Sequence, residues 1–261
     1  LYDRFVNQGA VMGDNFGLEN VLWFANNKED AHEEPTIKRS RSHDYVSKEV
    51  INVRENVGLI EVANFSKHEF KGPDARKFLD YIMAGKLPKP GRISLSPMLS
   101  YRGKLCGDLT VACLDENEFM VFGSGAAQEM HRRWFESHLD KFNLSYSNRS
   151  DEYHGLSIAG PNSRKVLEKI VRDDVSNEKF KFRDSRRMFV GGVPAIINRI
   201  SFTGELGYEI YVAPHYQLKL YEELIEAGKE FNIKPFGGRA LMSMRLEKNW
   251  GAWTLDYRPD F

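Results

Sequence analysis

The chain reads as an α+β protein: two successive strand–helix–hairpin–helix units pack their sheets and helices around a shared cleft. Three observations carry this reading. Phe70-Lys-Gly-Pro-Asp-Ala-Arg-Lys-Phe-Leu-Asp-Tyr-Ile82 is echoed by Ile158-Ala-Gly-Pro-Asn-Ser-Arg-Lys-Val-Leu-Glu-Lys-Ile170, with matches at Gly-Pro, Arg-Lys, Leu and the closing Ile. Paired strand-like runs follow each copy: Leu105–Leu114 with Glu118–Phe122, and Ile197–Phe202 with Tyr208–Val212. Each pair then leads through Gly123-Ser124-Gly125 or Ala213-Pro214-His215 into a helical stretch, Gln128–Leu139 or Gln217–Gly228. Internal duplication places the default binding site at the pseudo-symmetric junction.

Taken in order, Leu1 to Ala25 carries scattered aromatics (Tyr2, Phe5, Phe16, Trp23, Phe24) without clear periodicity, as expected of a strap lying over a neighbouring domain. Asn26 to Asp44 runs from acidic (Glu29, Asp30, Glu33, Glu34) to basic (Lys38, Arg39, Arg41) and reads as a solvated linker. The foldable body begins near Tyr45, so the expected divisions are residues 1–44, 45–150 and 151–261. In each copy Gly-Pro followed by Asp74, or by Asn162 and Ser163, signals a helix start: Pro tolerates the first turn and short polar side chains can cap free N–H groups. Near the end, Phe236-Gly-Gly-Arg-Ala-Leu-Met-Ser-Met-Arg-Leu-Glu247 predicts a tight turn and a helix with Met242, Leu246 and Trp250 as its apolar stripe.

With 261 residues and 41% hydrophobic content, the chain can bury a sizeable core. Lys plus Arg equals Asp plus Glu at 37 each, and no basic run is interleaved with stacking aromatics, which disfavours nucleic acid as a partner. No stretch approaches the roughly 20 apolar residues of a membrane span. Cys106 and Cys113 are expected on opposite faces of one strand, too far apart to pair, and a reducing cytoplasm is the simplest compartment. The opening Leu1 and the run Trp253 to Phe261 suggest a segment of something longer.

Three side chains invite chemistry. Glu209 lies inside an otherwise apolar strand beyond the loop Thr203-Gly204-Glu205-Leu206-Gly207, on the same face as Tyr211. Its two coplanar oxygens suit a planar heterocycle with adjacent N–H donors, such as the pyrimidine edge of a pterin; the plainer alternative is a solvated glutamate on an edge strand. Asp108, between Gly107 and Leu109, is an acid–base candidate on the face of Cys106, Thr110 and Ala112, because aspartate is disfavoured inside strands and needs a bulge or a site to explain it. Arg239 in the first turn of the last helix opposes the helix dipole, which is offset if the guanidinium meets an anion; the alternative is a surface arginine lying on Trp253 or Tyr257. Gly123-Ser-Gly-Ala-Ala lacks the spacing of a dinucleotide loop, and the seven histidines show no metal-ligand or catalytic-triad spacing, so no metal site is expected.

Together these motifs resemble the tetrahydrofolate-binding domain shared by glycine-cleavage T-protein (aminomethyltransferase) and the dimethylglycine and sarcosine dehydrogenases. The resemblance is nearer to the dehydrogenases and rests on F-G-L-E-N-V-L-W-F (Phe16 to Phe24), L-S-P-M-L-S-Y-R-G-K-L-C-G-D-L-T-V (Leu95 to Val111), R-I-S-F-T-G-E-L-G-Y-E-I-Y (Arg199 to Tyr211) and R-L-E-K-N-W-G-A-W (Arg245 to Trp253). It implies tetrahydrofolate as cofactor, with FAD confined to a flavin domain that this chain lacks and that would be joined in cis. In such enzymes the flavin domain oxidises a small methylated amine, and the folate domain captures the released carbon as methylene-tetrahydrofolate. By motif, Glu209 resembles the pterin-gripping carboxylate, Asp108 the residue beside the reacting nitrogens and Arg239 the arginine at the mouth of the site. Phe65, Leu95 and Phe122 match positions lining the ring pocket, and Phe202 stands where the family usually has tyrosine. Alternative activities are a folate-dependent O- or S-demethylase and a non-catalytic folate-binding module; Phe202 favours the latter.

Overall fold

Gly72 and Gly160 occupy one structural position in two successive units, at φ +136° and +130°. A Cβ on Gly72 would come within 2.9 Å of the Asn143 carbonyl, and one on Gly160 within 2.5 Å of the Val53 carbonyl. Only glycine combines that backbone with such close approach. Each ends a strand and opens a helix of eight residues: β4 (Phe65–Lys71) leads into α3 (Ala75–Ile82), and β9 (His154–Ala159) into α5 (Ser163–Ile170). The structure, a computed structural model, describes residues 1–15, 17–253 and 255–257; Phe16 of the aromatic run and residues 258–261 lie outside the described residues.

The remaining elements repeat the same plan. In the first unit β5 (Arg92–Leu99), β6 (Leu105–Asp115) and β7 (Glu118–Ser124) form a meander followed by α4 (Gln128–Glu136). In the second, β10 (Ser185–Val190), β11 (Val193–Asn198) and β12 (Gly207–Val212) are followed by α6 (Gln217–Gly228). With β3 (Val57–Glu61), β8 (Ser145–Asn148) and β13 (Ile233–Pro235), two sheets result, ordered β5-β6-β7-β4-β8 and β10-β11-β12-β9-β3-β13. The strand preceding each unit pairs in the other unit's sheet: β3 lies beside β9, and β8 beside β4. Within the first unit the sheet therefore starts at β4.

Each sheet buries one face under its own helices. Phe70, Phe78, Leu79, Val111 and Phe135 form the core under α3 and α4; Leu59, Ile158, Leu167, Ile210 and Leu224 form that under α5 and α6. The other faces meet through Val62, Ile93, Ala112, Met120, Phe122, Ile196 and Tyr211. Arg183 closes this junction with a hydrogen bond from Nε to the Ile93 carbonyl (3.0 Å), and Arg187 pairs with Glu118 across it at 2.7 Å.

The N-terminal region departs from the expected strap. α1 (Tyr2–Asn7) and a hairpin of β1 (Ala10–Asn15) and β2 (Leu18–Phe24) pack into the body. Trp23 is fully buried and stacks on Tyr45 at 5.0 Å, while Phe5 meets Phe24 and Tyr221 edge-on. The charged connector is also tied down: Asp30 accepts from Tyr45 and Arg41, and Glu33 from the Trp23 indole. α2 (Ser42–Glu55) packs against α7 (Gly238–Glu247) on the inner side of the six-stranded sheet. The buried side of α7 is Ala240, Met244 and Arg245, next to Phe236, whereas of the expected stripe Met242 is half-buried, Leu246 is exposed, and Trp250 is exposed beyond the helix, which ends at Glu247.

A register shift at Met98/Leu99 corrects the reading of β6. Gly107 opposes Met98 and Leu105 opposes Leu99, leaving Cys106 as the extra residue of a bulge. The Cys106 thiol donates to the Met98 carbonyl (3.3 Å) and packs, as Cys113 does, toward the α3–α4 core. The two cysteines therefore share a side instead of opposing each other, and both are free thiols.

Candidate functional site

Glu209 lies on β12, third of six strands and flanked on both sides, so the edge-strand alternative does not apply. Its register partners are Asn198 on β11 and Ser157 on β9, both neutral and buried. Among the described residues no cation answers the carboxylate there, and burial pushes it up to about 7, offset in part by a hydrogen bond from Tyr211. That bond runs from the Tyr211 hydroxyl to Glu209 Oε2 at 2.8 Å. The side chain keeps partial contact with solvent.

The loop before β12 is longer than expected, because β11 ends at Asn198 and leaves 199–206 outside either strand. Phe202 is consequently a half-buried loop residue and not a strand residue. The loop is held by its own hydroxyls: Ser201 Oγ accepts from the Thr203 amide (3.2 Å), and Thr203 Oγ1 from the Glu205 amide (3.2 Å). Gly204 supplies the left-handed turn at φ +77°.

The facing sheet contributes a row across three strands: Leu95 opposes Thr110, and Thr110 opposes Phe122. Phe65 lies two residues from Lys67, the partner of Phe122, and packs into the same junction. Phe122 is only 5% exposed because its ring stacks on Tyr211, with centroids 4.5 Å apart. Leu95, on the edge strand, is 52% exposed. Asp108 continues the face beyond Thr110 as the partner of Pro97; it is half-buried, and burial raises its carboxyl above the usual range. Asp108 and Glu209 thus lie on the inner faces of opposite sheets, with the Phe122–Tyr211 stack two residues from Glu209 and one register pair from Thr110.

Arg239 has carboxylate company, though not from Glu209. Its guanidinium donates to Glu33 Oε2 and Ser42 Oγ, each at 2.6 Å, joining the first turn of α7 to the connector and to α2. Of the alternative, a stem lying on Trp253 or Tyr257, neither half is seen: the Trp253 indole stacks on His131 at 5.5 Å and donates to the Leu105 carbonyl, and the Tyr257 ring lies over Gly251. Among the described residues no group of three or more His, Cys, Asp or Glu side chains is placed to hold a metal ion, and no helix is long and apolar enough to cross a membrane.

Sequence reasoning passed over Tyr211 as more than a neighbour of Glu209, and it missed Lys67. The Lys67 ammonium is fully buried and donates to the Ala63 carbonyl at 2.6 Å; desolvation lowers it to about 8. Alternation along β4 would have turned Lys67 toward Phe65's face, but only the register to Phe122 shows that this face is interior.

An α+β architecture with two repeated units enclosing such a junction is the T-protein fold. The aminomethyltransferase T of the glycine cleavage system from Bartonella henselae superposes with a TM-score of 0.83 at 23% identity, covering 99% of this chain and 64% of that one. The chain belongs to the family described as the GCVT N-terminal domain, whose profile matches residues 1–261. It is 34% identical to human mitochondrial dimethylglycine dehydrogenase over 263 aligned positions, all of this chain and 30% of that protein. It is 33% identical to sarcosine oxidase subunit alpha of Rhizobium meliloti, over 95% of this chain and 25% of that subunit. Identity to the aminomethyltransferase of Thermoanaerobacter pseudethanolicus is 30%, over 75% of this chain and 53% of that enzyme. The chain is an aminomethyltransferase-like domain from a family of enzymes, and it spans about a third of the dehydrogenase it matches.

Proposed function

We propose that this domain binds tetrahydrofolate at the junction of its sheets and passes to it the carbon released when a methylated glycine, such as dimethylglycine or sarcosine, is oxidatively demethylated. The observation that carries the reading is the Glu209 carboxylate, held on a central strand with no cation beside it among the described residues and with acceptor positions to spare. Four lone-pair positions are available on a carboxylate and Tyr211 takes one, so two adjacent N–H donors of a pterin ring fit the remainder. Burying such a group is unfavourable unless a ligand answers it.

The other residues fall into supporting roles. Phe65 and Leu95 offer apolar surface beside the junction, and Phe122 acts from beneath by fixing Tyr211. Phe202 on the neighbouring loop offers an edge without a hydroxyl. Arg239 enters through its pair with Glu33, which the anionic tail of a ligand would have to displace. Bound tetrahydrofolate supplies the nucleophilic nitrogens that take up a one-carbon unit. Asp108, its carboxyl raised by burial, accepts the proton that leaves as the carbon is captured. The shared cleft replaces a bimolecular encounter with an oriented one. The amine would be oxidised by a flavin domain on the same polypeptide, as the length of the relatives suggests.

Anaerobic calorimetry with tetrahydrofolate tests the binding step, using p-aminobenzoylglutamate, which lacks the pterin, as control. Saturable binding of tetrahydrofolate and much weaker binding of the control are expected; equal binding of the two would remove the pterin from Glu209.

A further inference from the structure

We propose that Tyr211 is a positioning residue for Glu209, a clamp from the junction of the two units that holds the carboxylate in the orientation and charge state a pterin needs. The inference rests on the folate reading above and adds a residue to it. Its hydroxyl donates to Glu209 Oε2 at 2.8 Å, and its ring is 1% exposed, stacked on Phe122 of the first unit at 4.5 Å with an interplanar angle of 29°. On its other side the ring packs over Gly155, where a Cβ would come 2.7 Å from Cε1. Ring and hydroxyl are therefore fixed by different units: the first fixes the plane, and the second presents the carboxylate. A flexible glutamate would have to be ordered at the moment of binding, and holding it beforehand removes that cost.

The groups around Glu209 leave this role to Tyr211. Asn198 and Ser157 on the flanking strands are neutral; Asn198 Oδ1 accepts from the Ser185 hydroxyl at 2.7 Å and its buried Nδ2 makes no hydrogen bond, to Glu209 or to any other described residue. On the facing sheet, Lys67 donates to the Ala63 carbonyl, and Asp108 carries the same sign of charge. On the helices, Glu49 accepts from the Phe24 and Gly237 amides, Arg239 pairs with Glu33 and Ser42, and Arg245 pairs with Asp256. A hydroxyl donating to a carboxylate favours its ionised form, so losing the hydroxyl raises the carboxyl further.

The test is Tyr211→Phe, which keeps the stacked ring. In the ligand-free chain, carbon-13 NMR titration of the Glu209 carboxyl should show its midpoint moving up by about one pH unit. Tetrahydrofolate affinity should fall about tenfold at pH 7, narrowing to threefold or less at pH 9, where Glu209 is ionised in both proteins. In a Glu209→Gln background the same substitution should change affinity less than twofold. An unmoved Glu209 midpoint, or an affinity loss equal at every pH, overturns the proposal. If the wild-type chain binds no tetrahydrofolate, the folate reading fails, and the titration still decides whether Tyr211 controls Glu209.

Discussion

Replacing Glu209 with Gln should stabilise the chain most at alkaline pH and by less than about 1 kcal/mol near pH 5. Burial raises this carboxyl from 4.5 to about 7. Below both values it is protonated in the folded and unfolded states alike, and folding incurs no electrostatic penalty. Between them the unfolded chain releases a proton that the fold retains, so stability falls as pH rises and levels off above about 8. A gap of roughly 2.5 units at 1.36 kcal/mol each gives about 3 kcal/mol, an upper figure because part of the side chain meets water. Glutamine has the same shape, keeps an acceptor for Tyr211 and carries no charge to desolvate. Glu49, also raised to about 7, contributes a slope of the same sign, which cancels when variant and wild type are compared. Urea unfolding of both proteins at pH 5, 6, 7 and 8 gives the difference directly. A difference that stays constant across this range, or a Gln variant less stable at pH 8, would refute the reasoning.

Other substitutions probe separate links. Asp108→Asn should keep most tetrahydrofolate affinity and slow methylene-tetrahydrofolate formation about a hundredfold or more, read by stopped flow in an enzyme joined to its flavin domain; a rate within twofold would make capture a matter of proximity. Gly72→Ala and Gly160→Ala should each destabilise by more than about 1 kcal/mol in denaturant titrations, as expected of equivalent left-handed positions with carbonyls close by. Trp23→Ala should cost about 3–5 kcal/mol, because the indole is fully buried against Tyr45; a near-neutral result would restore a loosely attached strap.

What the sequence revealed follows from which interactions are local. The repeated Gly-Pro segments were legible as helix starts because a helix start is a property of a few consecutive residues, although Asp74 and Asn162 stand at the N-caps without the expected side-chain cap bond and the left-handed glycine went unread. Glu209 and Tyr211 were paired correctly because strand alternation is local too. The Met98/Leu99 bulge was not legible: it depends on which residue of β5 meets Gly107, and it sent Cys106 to the side opposite the one alternation assigns. Nor could composition show that Trp23 and Phe5 pack inside while Leu246 stays outside, since burial of an aromatic or aliphatic side chain is decided by distant partners. The exchange of β3 and β8 between sheets is likewise a matter of long-range pairing.

The account stands most directly on the Glu209 carboxylate as the group that holds a pterin. Calorimetry of tetrahydrofolate binding to wild type, Glu209→Gln and Asp108→Asn at pH 8, where Glu209 is ionised, tests it. Exchanging one acceptor oxygen for a donor that faces the ring's own donors should weaken binding by more than about 1.5 kcal/mol, over tenfold, while Asp108→Asn stays within about threefold of wild type. Unchanged affinity in Glu209→Gln would contradict the assignment of this carboxylate and of the junction as the folate site.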